Sequence, residues 1–528
     1  MKSFYQHLRA SHEFGEPVDL IRKPIFRSSA IFPVVNNDSY TSRIIFLGYW
    51  FVKRKINEVN LLMTLRDKEG NALLRKTMII DSPRTYSIEI DHLLREIQHG
   101  QKSNFVGSIE VEIFSTRDMV FPYPALVVSY YSDKFNTCVH TTGRIYNDFE
   151  DLAENERFRV PETGFDIQIK DDVDSFIAFV NGPKINPNGI IKYTITNSDS
   201  QKFSGVLQLG TINPYQTMFV KFKDHIPNLS EKLNHSSGTI TIEHNFEGFF
   251  PRFLAGNVQV SFPSVSFTHT YYDCSSCADN SDYWDRMSDQ YHDCSAYIPI
   301  FADVNLYTEL VIYPNFSPSD FKLHITFHDE QGKQLHQLNS FLEVDSKNSK
   351  LIRINFNDLI KEHKLEFGKI KSAHVISDFR DRIPARLKFG LNVGVFGSKA
   401  RFPCNICFNA KVGNPLLENK PGSFHWCPLF DEGRSIVTIS NFSPQKYYQK
   451  SANLKVKFYN EKGFSGIEKN IVLPPYGEFR LDTIENSEIK SLLQDGIVWI
   501  TIEANNPNIQ GFYFNFNQSG AVAGDHFF

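Results

Sequence analysis

The densest reactive chemistry in the chain lies between His269 and Cys294. His269, Cys274, Cys277, His292 and Cys294 supply more nitrogen and sulfur donors than the four a tetrahedral zinc takes. The two-residue gap between Cys274 and Cys277 lets two thiolates on one tight turn face a single ion, although the other spacings match no standard finger. The competing reading is a long surface loop carrying inert, reduced thiols. A redox pair is disfavoured, because a Cys-x-x-Cys of that kind opens a helix after a strand in an α/β unit, and no such unit surrounds it. The same stretch carries Tyr271, Tyr272, Tyr283, Trp284 and Tyr291 among aspartates. Such rings can stack on a sugar, anchor a protein partner or pack on a neighbouring unit.

Histidine also marks three other places of related character. With the first, the four segments are Cys138-Val-His140, Thr268-His269 through Cys274, Phe424-His425-Trp-Cys427 and Asp525-His526-Phe-Phe528. Two expectations compete. In one, each imidazole supplies a hydrogen bond beside aromatic packing, a repeated solution to a repeated packing problem. In the other, the four segments converge and His140, His269, His425 and His526 line one metal site, with zinc the natural occupant. Convergence requires a compact arrangement rather than beads on a string. Cys404-Asn-Ile-Cys407 sits in a strand-like run between Phe402 and Phe408. Residues three apart on a strand face opposite sides, so these thiols read as core or edge cysteines.

The elements that position these residues are short β-strands. Runs such as Gly238 to His244, Ala452 to Tyr459 and Gly496 to Glu503 alternate apolar and polar residues. Hairpin signals recur at Asp67-Lys-Glu-Gly70, Asp329-Glu-Gln-Gly332 and Asn460-Glu-Lys-Gly463, each placing Gly where the loop needs a positive φ. Helical periodicity is confined to Asp91–Ile97 and Phe356–His363. Aligning strands and hairpins reveals a repeat. Its opening strands are Ser42–Leu47, Ser175–Val180, Thr308–Tyr313 and Arg434–Ser440, and the tetrapeptide Asn-Phe-Ser-Pro recurs at 315–318 and 441–444.

The chain is therefore expected to be all-β, a tandem array of four β-sandwich repeats, immunoglobulin-like or jelly-roll-like, with little helix. The expected division is an N-terminal arm over 1–38, repeats over 39–147, 171–295, 296–429 and 430–528, and an acidic linker over 148–170. In this alignment the third repeat delays its histidine by an insertion from Ser398 to Lys420.

Bulk properties fit that picture. At 528 residues one core cannot serve the whole chain, and 41% hydrophobic residues suffice for several. A net charge of −4 with mixed signs argues against nucleic acid as a partner. No apolar run has the length of a membrane-spanning helix, and the first residues lack the apolar core of a secretory leader. That points to a cytoplasmic protein or to export without a recognisable leader. Seven cysteines are too few and odd in number for a disulfide framework. There is no phosphate-cradling glycine loop, nucleophile elbow or His-Glu-x-x-His helix. The expected function is a non-enzymatic binding or scaffolding protein with a glycan or protein partner, its self-association left open. The alternatives are a metal-dependent enzyme built from the His- and Cys-bearing segments, and a coat-like assembly component.

Overall fold

The structure is a computed structural model. It describes residues 24–97, 104–140, 143–144, 162–168, 172–249, 251–262, 264–272, 284–285, 289–302, 305–314, 317, 319–347, 350–384, 387–413 and 418–528. The described residues form an all-β protein of many antiparallel sheets. Its principal strands come in four sets of eight. The first set is β1 (Arg27–Asn36), β2 (Thr41–Leu47), β3 (Val59–Asp67), β4 (Ala72–Ile80), β5 (Thr85–Glu89), β6 (Phe105–Phe114), β7 (Val127–Tyr131) and β8 (Asn136–Val139). The second is β9 (Asp166–Gln168), β10 (Val173–Val180), β11 (Asn186–Asn197), β12 (Lys202–Ile212), β13 (Thr217–Lys221), β14 (Ser237–His244), β15 (Leu254–Gln259) and β16 (Ser264–His269). The third is β17 (Cys294–Pro299), β18 (Leu306–Ile312), β19 (Phe321–His328), β20 (Gln334–Val344), β21 (Ile352–Asn355), β22 (Ser372–Phe379), β23 (Lys388–Val395) and β24 (Cys404–Asn409). The fourth is β25 (Ser423–Leu429), β26 (Arg434–Asn441), β27 (Ala452–Asn460), β28 (Gly463–Leu473), β29 (Glu478–Asp482), β30 (Val498–Ala504), β31 (Ile509–Phe516) and β32 (Val522–His526).

Every set builds the same two four-stranded arrangements. Counting from one to eight within a set, the orders are 4-3-6-1 and 5-2-7-8; in the first set, β1 also pairs with β2 and joins the two. The apolar faces of the two sheets close on each other. In the third set Ala296, Leu323 and Val375 from one sheet share a core with Leu310, Leu391 and Ile406 from the other. Period-2 alternation dictates this, because each strand has one apolar face to bury. The expected hairpins lie between β3 and β4, β19 and β20, and β27 and β28, with Gly70, Gly332 and Gly463 at positive φ. In the second set Ser200 takes that conformation, at φ 65°. Short helices at Ile90–Glu96 and Phe356–Glu362 follow the fifth strands of their sets. Among the described residues no helix is long and apolar enough to cross a membrane.

Two expected boundaries change. Residues 27–36, assigned to an N-terminal arm, form β1, which pairs along its whole length with β6. The run reads RSSAIFPVVN, and its interior Pro33 and paired serines mask the alternation. Of the expected linker, 148–161 lies outside the described residues, whereas Glu162–Thr163 and Asp166–Gln168 are strands paired with β14. Acidic side chains there signalled solvent, but Asp166 is buried against Arg353 of the third set at 2.9 Å.

The four sets close into a ring. First and second meet where Thr217 N donates to Lys68 O at 2.9 Å. Second and third meet at Arg353–Asp166 and at Arg401–Asp172, 3.0 Å. Third and fourth meet where Glu478 N donates to Glu330 O at 3.1 Å. The fourth returns to the first through Arg43, whose Nη2 lies 2.7 Å from Glu432 Oε1. At the hub the eighth strands, each an edge of its sheet, pack in a cycle: β8 on β16, β16 on β24, β24 on β32, and β32 on β8. Edge strands with unpaired backbone groups are thereby buried against one another.

Candidate metal centre

The hub is where the chemistry gathers. The eighth strands can be aligned through a hydroxyl in the second strand of each set. Ser42, Ser175, Thr308 and Ser435 each accept a hydrogen bond from the backbone N–H of Val35, Gln168, Phe301 and Phe430, at 2.8–2.9 Å. Across the sheet these hydroxyl residues register with Thr137, Ser266, Cys404 and Ala523 of the eighth strands. Three residues further on stand His140, His269, Cys407 and His526. Three of the four expected histidines are thus structural equivalents, and the fourth equivalent is a cysteine.

The structure brings His140, His269 and His526 together with Asp525. One donor atom from each lies within 4.8 Å of the others. The His140 ring is 4.3 Å from that of His526 and 5.0 Å from that of His269, centroid to centroid. His140, His269 and Asp525 are buried, and His526 is half-buried. Neighbours fix the frame: Tyr130 stacks on Phe267 at 3.9 Å, and Phe267 N donates to Thr137 Oγ1 at 2.9 Å. A Cβ at Gly524 would crowd the Ile406 side chain of β24, so the smallest residue stands where two edge strands approach.

Burial sets the protonation of this group. It drives the proton affinity of His269 well down, helped by Arg252 and His140, and lowers His526 to about 4, helped by His140. Burial also opposes the charge on Asp525. His140, through charge and hydrogen bond, outweighs it and holds the carboxyl well below the usual carboxylate range. The result is neutral His269 and His526 beside an ionised Asp525, the state in which these groups ligate a cation. Nδ1 of His269 lies between Thr270 O at 3.0 Å and Arg252 Nη2 at 3.1 Å.

The remaining expected ligands fall elsewhere. His425 lies on β25, the first strand of the fourth set, not at the end of the third. The segment read as an insertion contains the true closing strand, β24, and that displaced the alignment. His425 Nδ1 is 3.1 Å from Phe528 O, and His425 is not among the clustered donors. Cys294 is buried in the core of the third set, and burial pushes its thiol well up. His292 stands 4.0 Å from Asp378 and 5.8 Å from the His374 ring. Neither joins His269, because β16 ends at the hub while β17 opens the next sandwich. Cys274, Cys277 and Tyr283 lie outside the described residues. Tyr271 and Tyr272 pair with Thr163 and Glu162, and Trp284 pairs with Ile383. Tyr291, expected among exposed rings, is buried and bridges to Gln445 of the fourth set. Cys404 and Cys407 lie on one strand, both buried, as their spacing implied. The residue that sequence reasoning missed is Asp525. Its one signal was adjacency to His526 in a segment already singled out.

No protein-family model and no curated protein matches the chain. Among solved structures it matches the native conformation of E. coli alpha-2-macroglobulin, seen by cryo-EM, at 10% identity with a TM-score of 0.09. The match covers 94% of this chain and 28% of that one, and a score that low carries no argument here.

Proposed function

We propose that this protein is a non-enzymatic scaffold, a ring of four β-sandwich units stapled at its hub by one divalent transition metal. Three imidazoles and a carboxylate suit zinc first. The observation that carries this reading is the convergence of His140, His269, Asp525 and His526 from the first, second and fourth units. His140 lies 385 positions from Asp525, the chain neighbour of His526, so an ion held by His140 and His526 closes a very long loop. Cross-links of that kind restrict the unfolded chain most.

A metal-dependent enzyme is the second reading, and it needs a substrate to reach the metal. Three clefts among the described residues lie away from the hub. One, of about 360 Å³, lies between the third and fourth units beside Phe301 and Arg480; others adjoin Phe424 and Asn37. Burial of three of the four donors therefore favours a stabilising metal. Elemental analysis of the purified protein tests the proposal. About one equivalent of zinc or a similar ion is expected, lost in His140→Ala. Less than a tenth of an equivalent, unchanged after incubation with zinc, would overturn it.

A further inference from the structure

The hydrogen bonds at the hub divide the work among its four donors. Nδ1 of His140 is 2.6 Å from Asp525 Oδ2, and Nδ1 of His526 is 3.0 Å from Phe527 O. Nδ1 of His269 is 3.0 Å from Thr270 O. In all three rings the nitrogen facing an oxygen acceptor is Nδ1. A proton there leaves the Nε2 lone pair to a metal, the usual arrangement of ligating histidines. Arg252 Nη2 could instead donate to Nδ1 of His269; coordination through Nε2 selects the Thr270 partnership.

Asp525, by contrast, is already occupied. Oδ2 accepts from the His140 backbone N–H at 3.1 Å as well as from its ring, and Oδ1 accepts from His526 N at 2.8 Å. A carboxylate bound this way orients a histidine ligand and raises its basicity. Coordinating the metal through Oδ2 would compete with the 2.6 Å contact.

Taking the hub as a metal site, as proposed above, we infer that its protein ligands are Nε2 of His140, His269 and His526, that Asp525 is a positioning residue, and that the fourth coordination place takes water exchangeable for a small anion. Three protein ligands with an open position is the pattern of catalytic zinc; burial of this hub restricts the open place to small ligands, which keeps the stabilising role. The guanidinium of Arg252, 3.1 Å from Nδ1 of His269, adds positive charge around the hub, which favours an anion over a neutral ligand there. Burial pushes the carboxyl of neighbouring Glu162 up, which weakens its offset of that charge. Half-buried His526 marks the side from which solvent reaches the site.

The test uses the full chain loaded with cobalt(II), whose visible bands report coordination, and azide as the anion probe. Azide is expected to shift the bands of the wild-type protein. Asp525→Asn is expected to bind one equivalent with affinity reduced about 10–100-fold, whereas His269→Ala binds none. Wild-type bands indifferent to azide at saturation would overturn the open position without needing any variant. Loss of all cobalt from an Asp525→Asn protein that keeps its wild-type circular dichroism would make Asp525 a ligand and overturn its positioning role. A wild-type protein that takes up no cobalt or zinc defeats the metal reading itself, a separate and distinguishable result.

Discussion

Among the described residues, a histidine cluster at the hub contrasts with one at the seam between the third and fourth units, and the contrast shows what turns imidazoles into ligands. At the hub, His140, His269 and His526 each set Nδ1 against an oxygen acceptor and gather beside an ionised carboxylate. At the seam between the third and fourth units, His292, His328 and His374 pack among aromatic rings. His328 stacks on Tyr476 at 5.1 Å, and His374 lies 5.4 Å from Phe442 and 6.0 Å from Tyr297. Among the described residues, His292 Nδ1, His328 Nδ1 and His374 Nε2 are buried with no hydrogen-bond partner. The groups facing them are Asp378, His324 and Lys446 around His292, and Asp329 beside His328. Burial favours the neutral ring at His269 and His526 in the hub and at His292, His328 and His374 in the seam. Among the described residues the hub alone gathers three imidazole donors and a carboxylate within 4.8 Å of one another. The seam has packing, and the hub has coordination chemistry.

The largest effect that separates the clusters is ligand removal. His269→Ala should abolish metal uptake and forfeit the stabilisation bound metal gives, about 4 kcal/mol at a free concentration a thousand times Kd. His374→Phe should retain a full equivalent. Elemental analysis with thermal melts compares them directly, and equal metal loss in both variants would erase the distinction.

Next in size is the acid response. Burial lowers His292 and His328 to about 4 and His374 well below its ordinary value. A histidine with depressed proton affinity binds fewer protons folded than unfolded. Its contribution is full above about pH 6.5 and is lost as pH falls towards 4, on the order of 1–3 kcal/mol per residue. Urea midpoints of metal-free protein should fall across that window. The double variant His328→Phe, His374→Phe should flatten part of the fall and leave metal release from the hub untouched. An unchanged slope would remove the seam from the account.

A smaller effect concerns the hairpin that supports the seam. Gly332 has φ 76°, and a Cβ there would meet Pro475 O of the fourth unit. Gly70, at φ 96°, stands in the same relation to Pro214 of the second unit. Gly332→Ala and Gly70→Ala should each cost about 1–2 kcal/mol. The first should also shift the acid midpoint and the second should not, as chemical denaturation at two pH values would show. Smallest of all, His374→Phe at pH 8 should be neutral or stabilising by about 1 kcal/mol, since it removes an unpartnered buried nitrogen. A loss above that size would reveal a polar role for His374.

Much of the architecture was legible in the chain because its signals are local. Alternation in Ala452 to Tyr459, the Gly-bearing hairpins and the two short helices all depend on near neighbours. Legibility failed where a signal was weak or displaced. Arg27–Asn36 carries an interior proline and paired serines, and its partner strand lies about 80 residues away. The closing strand of the third unit, Cys404–Asn409, bears a cysteine where its three counterparts bear histidine, so along the sequence His425 reads as the missing member. Asp525 could not be ranked above other acids, because nothing local says that His140 lies 2.6 Å from it.

The sequence by itself determined the strands, the hairpins and the fourfold recurrence, since alternating burial and turn geometry are properties of short segments. It also put histidine at three of four equivalent positions. Tertiary structure alone decided that the four edge strands meet, that first and last units are neighbours, and that His140, His269, Asp525 and His526 share one buried space. Ring closure sets those contacts. It depends on how whole sandwiches pack, an arrangement that no period or spacing along the chain encodes.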